Sequence, residues 1–238
     1  MMKKLLIIKT GATLASILAS EGDFEDFILR PMGLSREQAI ITPVFEGAGL
    51  PGPSEIKAVV ITGSHAMVTD NDEWSLNLSS WLRDVRPTGI PILGICYGHQ
   101  LLARAFGGDV DYHPKGKEVG TATIELTEAG KKDPLLGCLP ERFWGHVTHA
   151  QTALRLPEGA TLLAQNVFEP HHAFVLDGHI WGVQFHPEFN AAITGAYIDA
   201  QNDQLLAEGQ DPEGLRRSIV EHSYGKMLLR RFYELVGA

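Results

Sequence analysis

Cys96 stands between two glycines, in Gly94-Ile95-Cys96-Tyr97-Gly98, where one kind of residue pattern gives way to another. Before it runs a short apolar stretch (Ile92, Leu93, Ile95), as in a buried strand. After it Leu101, Leu102, Ala105 and Phe106 recur at helical spacing. A nucleophile between glycines at a strand-to-helix junction is the arrangement of a nucleophile elbow, here with a thiol in place of a hydroxyl. A side chain at either glycine would collide with the turned backbone. The amide groups that open the following helix favour the thiolate over the thiol. A thiol that attacks an amide also needs a base, an acid for the leaving amine and donors for the oxyanion. His186, in Gly182-Val183-Gln184-Phe185-His186-Pro187-Glu188, is the best base among the ten histidines, and Glu188 lies two residues on, close enough to orient the ring.

Alternating strand and helix patterns precede and follow the elbow. Leu5–Ile8, 39–45 and Ala58–Thr62 read as strands of a parallel sheet, with Pro43 confining the second to an edge or a strand end. Two helical regions fall around Leu14–Ile28, broken near Gly22-Asp23, and residues 73–86 form an amphipathic helix through Trp74, Leu78, Trp81, Leu82 and Val85. Beyond Gly108 the texture turns to strands and turns: 119–126, 143–149, 162–166, 173–176 and 180–185. In the first of these Val119, Thr121, Thr123 and Glu125 share one side, and Asp177-Gly178 marks a turn between the last two. The strand over 180–185 delivers His186 at its end, where functional groups of open parallel sheets collect. From Asn190 onward the pattern is helical. No repeat or linker divides the chain, so one α/β domain over 1–238 is expected, with 190–238 as a helical tail.

The bulk composition excludes several classes. With 44% hydrophobic and 21% charged residues the chain can bury an ordinary core. A net charge of −9 and the absence of a Lys/Arg run argue against nucleic acid as a partner. The apolar start of residues 1–8 is too short for a signal peptide, and nothing approaches a membrane span, so the expectation is a cytoplasmic protein with no membrane partner. Cys96 and Cys138 are the only cysteines, which rules out a disulfide framework, and Cys138 reads as a small apolar residue. His171, His172 and His179 lack a spaced carboxylate or thiol partner, so no metal site is expected. Asp70, Asp72 and Glu73 read as acidic caps for the helix at Trp74.

Gly-Ile-Cys-Tyr-Gly-His-Gln-Leu-Leu over 94–102, followed about 90 residues on by Gly-Val-Gln-Phe-His-Pro-Glu-Phe over 182–189, resembles the class I (triad) glutamine amidotransferase family. The Val-Ile-Thr-Gly-Ser loop over 60–64 and the long tail are similar to its stand-alone, GMP-synthase-like members. The resemblance implies an α/β fold with an open, mostly parallel central sheet and flanking helices, flavodoxin-like, and no cofactor. It implies that Cys96 attacks the side-chain carboxamide of glutamine to form a γ-glutamyl thioester. His186 would be the base and Glu188 its orienter, with the backbone N–H groups of Gly63 and Tyr97 as the oxyanion hole. Gln100 would hydrogen-bond the substrate, and His149-Ala-Gln151 would shape the pocket for its α-amino and α-carboxyl groups. That last segment departs from the family pattern by carrying Gln151 where an aspartate is usual. The loop at Gly63-Ser64-His65 also differs from the Gly-Gly-Pro of purine-synthesis members, with His65 expected to border the pocket. Three readings stay open: an amidotransferase subunit passing ammonia to a synthetase in trans, a free-standing hydrolase of γ-glutamyl compounds, and a binding protein of the same fold.

Overall fold

The computed structural model describes residues 3–237; Met1, Met2 and Ala238, part of the expected 1–238 domain, lie outside the described residues. In chain order the regular elements begin with β1 (Lys4–Lys9), α1 (Ala15–Glu21), α2 (Phe24–Met32), β2 (Ala39–Pro43), β3 (Ile56–Ile61), α3 (Glu73–Val85), β4 (Ile92–Ile95) and α4 (Tyr97–Ala105). They continue with β5 (Asp109–Tyr112), β6 (Glu118–Leu126), β7 (Arg142–His149), β8 (Gln151–Arg155), β9 (Thr161–Gln165), β10 (Ala173–Leu176) and β11 (Ile180–Val183). The chain closes with α5 (Ala191–Ala200), α6 (Asn202–Ala207), α7 (Pro212–Arg217) and α8 (Tyr224–Leu235).

Nine strands form one sheet in the order β2-β1-β3-β4-β11-β10-β9-β6-β7. The first five are parallel, in the strand order of the flavodoxin-like doubly wound sheets. The last four extend it in antiparallel fashion. β1, β3 and β4 are buried on both faces, which explains their unbroken apolar runs. Their alternate residues feed two cores. Leu6, Ile8, Val59 and Ile61 meet Leu78 and Leu82 of α3 and Leu101 and Leu102 of α4. Leu5, Ile7, Val60 and Leu93 meet Ile28 and Leu29 of α2 and Leu228, Leu229 and Phe232 of α8.

Several expectations need correcting. The strand expected over 180–185 leaves the sheet after Val183, because Gln184 N–H donates to His172 O and His186 N–H donates to His146 O. The short sheet of β5 and β8 has no alternating pattern that announced it. Asp72 occupies the N-cap position of α3, but its side chain makes no capping hydrogen bond; Asp70 instead accepts from Met67 N–H. β6 keeps the expected alternation, in unbroken register with β7, but its Val119–Glu125 face is covered only at one end: Val119 is buried against Ile198 and Leu205, while Thr123 and Glu125 are exposed. Pro43, as expected, ends an edge strand.

Parallel pairing sets Ile61 beside Gly94 and Val183 beside Ile95, so the carboxyl ends of β3, β4 and β11 lie side by side. The loops carrying Gly63, Cys96 and His186 therefore emerge at one edge. The tail closes over this edge: a Cβ at Gly225, in the first turn of α8, would collide with the Pro187 carbonyl oxygen and come within 2.6 Å of Pro187 Cα. Gly225→Ala should therefore cost about 1–3 kcal/mol of stability through overpacking. The check is a lower denaturant midpoint with an unchanged m-value; an unshifted midpoint would show that the tail does not hold this contact in solution.

Candidate active site

Cys96 adopts φ 51°, ψ −99°, a left-handed conformation that costs a non-glycine residue about 1–3 kcal/mol. The surroundings impose it. Cys96 N–H donates to Val183 O at 2.8 Å, while Cys96 O already accepts the N–H of Gln100 at 3.1 Å, so one residue ends β4 and opens α4. The two flanking glycines are required by close approach: a Cβ at Gly94 would stand 2.5 Å from Gly98 O, and one at Gly98 would stand 2.7 Å from Ile61 O. The sulfur lies 3.9 Å from Thr148 O at the end of β7.

His186 is 4% exposed and Glu188 is 6% exposed. Nδ1 of His186 lies 2.8 Å from Glu188 Oε1, to which it donates, and the ring stacks on Phe189 at 4.1 Å. Among the described residues Nε2 has no oxygen or nitrogen partner, and Cys96 is the second group that favours the protonated ring. Burial opposes the charge on this imidazole, but Glu188 and Cys96 outweigh burial and push its pKa up to about 10. A Cβ at Gly63 would touch His186 Cε1 at 3.0 Å and approach Cys96 Cβ to 3.8 Å, so the glycine lies against both. Tyr97 is the first residue of α4, where the N–H has no intrahelical acceptor; its ring points away, and its hydroxyl meets Ser75 Oγ at 2.6 Å.

The structure thus gathers Gly63, Cys96, Tyr97, His186 and Glu188 at one place, beside a cavity of about 550 Å³. Gln100, His149, Gln151 and His65 all line that cavity. Gln100 Nε2 donates to Gln151 O at 2.7 Å and to Gln184 Oε1 at 3.0 Å, which leaves only its oxygen free for another partner. His149 has an acceptor at each ring nitrogen, Gln151 O and Glu118 Oε2, both at 3.0 Å. Both nitrogens must donate, so the ring is an imidazolium: burial opposes the charge, and Glu118 raises its pKa regardless. Gln151 is buried; its Oε1 accepts from Val68 N–H and its Nε2 donates to Thr69 Oγ1, so the residue in the usual aspartate position clamps the 64–70 loop. His65 packs against Tyr197 at 5.7 Å between ring centres.

Sequence reasoning missed a second acid beside the histidines, Glu118, whose side chain is 12% exposed. Glu118 accepts hydrogen bonds from His149 Nε2 and Asn166 Nδ2 and also lies 3.3 Å from His172 Nε2. Burial alone would raise its pKa, yet the two histidines hold its carboxyl well below the usual carboxylate range. His172 therefore has the carboxylate partner that its sequence surroundings did not suggest. Among the described residues no group of histidines, cysteines and carboxylates has the geometry to hold a metal ion. The tail was also missed as part of the site: Tyr197, Ala200, Gln201, Gln204 and Glu208 form one wall of the cavity. A signal was present, since 201, 204 and 208 share one face of a helix.

The family model for class-I glutamine amidotransferases matches residues 50–202. A glutamine amidotransferase-like protein of Schizosaccharomyces pombe is 28% identical over 240 residues, covering 89% of this chain and 90% of that one. A gamma-glutamyl peptidase of Arabidopsis thaliana is 34% identical, over 69% of this chain and 66% of its own length. The glutamine-hydrolysing GMP synthase of Aeropyrum pernix is 33% identical over 77% of this chain, which spans about a third (32%) of that enzyme. In three dimensions a glutamine amidotransferase of Thermotoga maritima superimposes with a TM-score of 0.79 over all of both chains at 21% identity, a likeness of fold. With the family model matching well over half its length, and its elbow and His-Pro-Glu motifs in place, the chain belongs to the class-I glutamine amidotransferases.

Proposed function

We propose that this protein hydrolyses the C–N bond of γ-glutamyl amides, with glutamine as the simplest substrate. The observation that carries the reading is the strained Cys96 beside a buried His186 whose other ring nitrogen is fixed by Glu188. His186 rests as an imidazolium beside Cys96, which reacts as the thiolate. The sulfur attacks the carboxamide carbon, and the oxyanion takes hydrogen bonds from Gly63 N–H and Tyr97 N–H. His186 gives its Nε2 proton to the leaving nitrogen, ammonia departs, and a γ-glutamyl thioester remains on Cys96. Neutral His186 then takes a proton from water, which attacks the thioester; glutamate leaves and the pair is restored. Glu188 holds the ring throughout and stabilises its charged form. Gln100 presents its free oxygen to a donor on the substrate, and His149 acts by positioning Gln151 and the pocket edge rather than through its own occupied nitrogens. The same proposal takes 1–238 as one cytoplasmic domain, with a synthetase in trans as the ammonia acceptor if glutamine is the physiological amide.

A second reading is favoured by a specific observation. The cavity of about 550 Å³ sits well inside the range of about 300–1,000 Å³ usual for much larger ligands, and a wall of the tail encloses it. A γ-glutamyl peptide would use that space; glutamine alone would leave much of it to water. The deciding assay follows glutamate release from glutamine and from γ-glutamyl peptides. Turnover of either should fall at least about 10³-fold in Cys96→Ala. Turnover that survives this substitution would end the proposal, and release from glutamine only on adding a synthetase would favour the subunit reading over the hydrolase.

The charge state of His186 generates a pH prediction. Loss of the imidazolium proton removes the acid for the leaving amine, so kcat/KM should fall on the alkaline side as pH approaches about 10. Glu188→Gln takes away the carboxylate that raises this pKa, so the alkaline limb should move down by about 1–3 pH units. The linked stability has the same sign. A pKa raised above the unfolded value of about 6.5 contributes fully below that pH and is lost as pH rises through about 10. Denaturant midpoints measured between pH 7 and 10.5 should therefore fall less steeply in Glu188→Gln. An alkaline limb that stays in place in the variant would count against the pairing.

A further inference from the structure

The residues lining the cavity divide between the two faces of β7. Successive side chains of a strand point to opposite faces. His149 turns to Glu118, and its side of the pocket includes Gln151 and Gln100, the positions matched to the family's grip on the amino-acid end of the substrate. Thr148 turns the other way, where its Oγ1 accepts from Gln201 Nε2 at 3.0 Å. On this second side the cavity is lined by Lys117, Gln201, Gln204 and Glu208.

Lys117 is the charged donor there. Its side chain is only 13% exposed. Its Nζ donates to Gln201 Oε1 at 3.1 Å, and the nearest carboxylate oxygen, on Glu208, is 4.0 Å away and already accepts from Gln204 Nε2. An ammonium group carries three donors, and here one neutral amide is its only close partner among the described residues. A largely buried cation so incompletely compensated favours an incoming anion. Burial also lowers the lysine's pKa, the same deficit seen from the proton's side.

The lysine is tied to the reaction centre. Lys117, Gln201 and Thr148 form a continuous chain of hydrogen bonds, and Thr148 O lies 3.9 Å from Cys96 Sγ. Gln201 itself is held at the junction of α5 and α6, where its amide also donates to Tyr197 O at 3.1 Å. Val119 faces Thr148 across the β6–β7 pair, and Lys117 precedes it by two residues, just before β6 begins. Cys96 and Lys117 line the same cavity, so a carboxylate on an amino acid or short peptide attached to the scissile nitrogen has a cation to meet there. Ammonia carries no such group.

We infer that Lys117, held by Gln201, forms a subsite for a carboxylate on the leaving amine, so that the preferred substrates are γ-glutamyl amino acids or peptides with a free C-terminus. The inference rests on the γ-glutamyl amide reading above and refines its leaving-group side. It is tested by binding, separately from turnover. In full-length Cys96→Ala protein, calorimetric affinities are compared for γ-glutamylglycine and γ-glutamylglycylglycine against their C-terminal amides. At least one acid should bind about ten-fold more tightly than its amide, as a charge-assisted hydrogen bond would give. Adding Lys117→Met should bring that ratio close to one, and Lys117→Arg should retain most of it; labelling of Cys96 by a glutamine-like electrophile in the single Lys117 variants confirms an intact fold. Equal affinity for both acids and their amides, or a gap that survives Lys117→Met, overturns the subsite even where turnover stands. If wild-type protein turns over none of these compounds nor glutamine, the hydrolytic reading falls, while a gap abolished by Lys117→Met still upholds the subsite.

Discussion

The reversal of the chain at Cys96 is the constraint on which the site depends. A strand that ends beside two parallel neighbours must turn within one residue for the next helix to begin on the same edge, and Cys96 does so at φ 51°, ψ −99°. The cost is local and the compensation is not. Gly94 and Gly98 allow backbone to approach backbone, and β3 and β11 on either side hold β4 in register. The residue is stabilised in a conformation it would leave if isolated, and its sulfur is thereby carried clear of the sheet edge, toward the histidine.

Electrostatics follow from the same geometry. Two buried acid–histidine systems sit near the cysteine: Glu188 with His186, and Glu118 with His149 and His172. Around them other buried histidines are held neutral. His146, whose ring stacks on His222 at 4.4 Å, is pushed down to about 3 by burial and by its histidine neighbours, and His99 is likewise pushed down to about 3, first by burial. The difference is whether a carboxylate lies within hydrogen-bonding distance. At His186 and His149, which have one, the charged ring outweighs its desolvation; at His146 and His99, which have none, the ring packs as a neutral aromatic.

The tail joins these parts. α8 packs its apolar face into the same core as α2, and its first turn presses on Pro187, between His186 and Glu188. α5 and α6 meanwhile wall the cavity and reach Thr148 through Gln201. One segment therefore steadies the loop bearing His186 and bounds the cavity beside Cys96. In this chain the first two helices beyond residue 190 are part of the pocket.

The elbow and the His186–Glu188 contact were legible in the sequence because each depends on short-range spacing: glycines two residues either side of Cys96, and Glu188 two residues beyond His186. The parallel half of the sheet was legible for a related reason, since strands buried on both faces leave unbroken apolar runs. Glu118, Lys117 and Gln201 left no comparable mark. Glu118 meets His172 across 54 residues of chain, and Lys117 meets Gln201 across 84. Contacts at such separation are set by register, by which face of β7 each side chain takes, and by where the tail helices come to rest. The same holds for Gln151, whose type suggested only a missing charge until its partners, Val68 N–H and Thr69 Oγ1, were in view. Local sequence thus determined the placing of Cys96 and of the His186–Glu188 pair, because strand, turn and helix patterns are local. The surroundings of those groups were decided by tertiary packing, because burial and long-range hydrogen bonds set both the charge and the reach of a side chain.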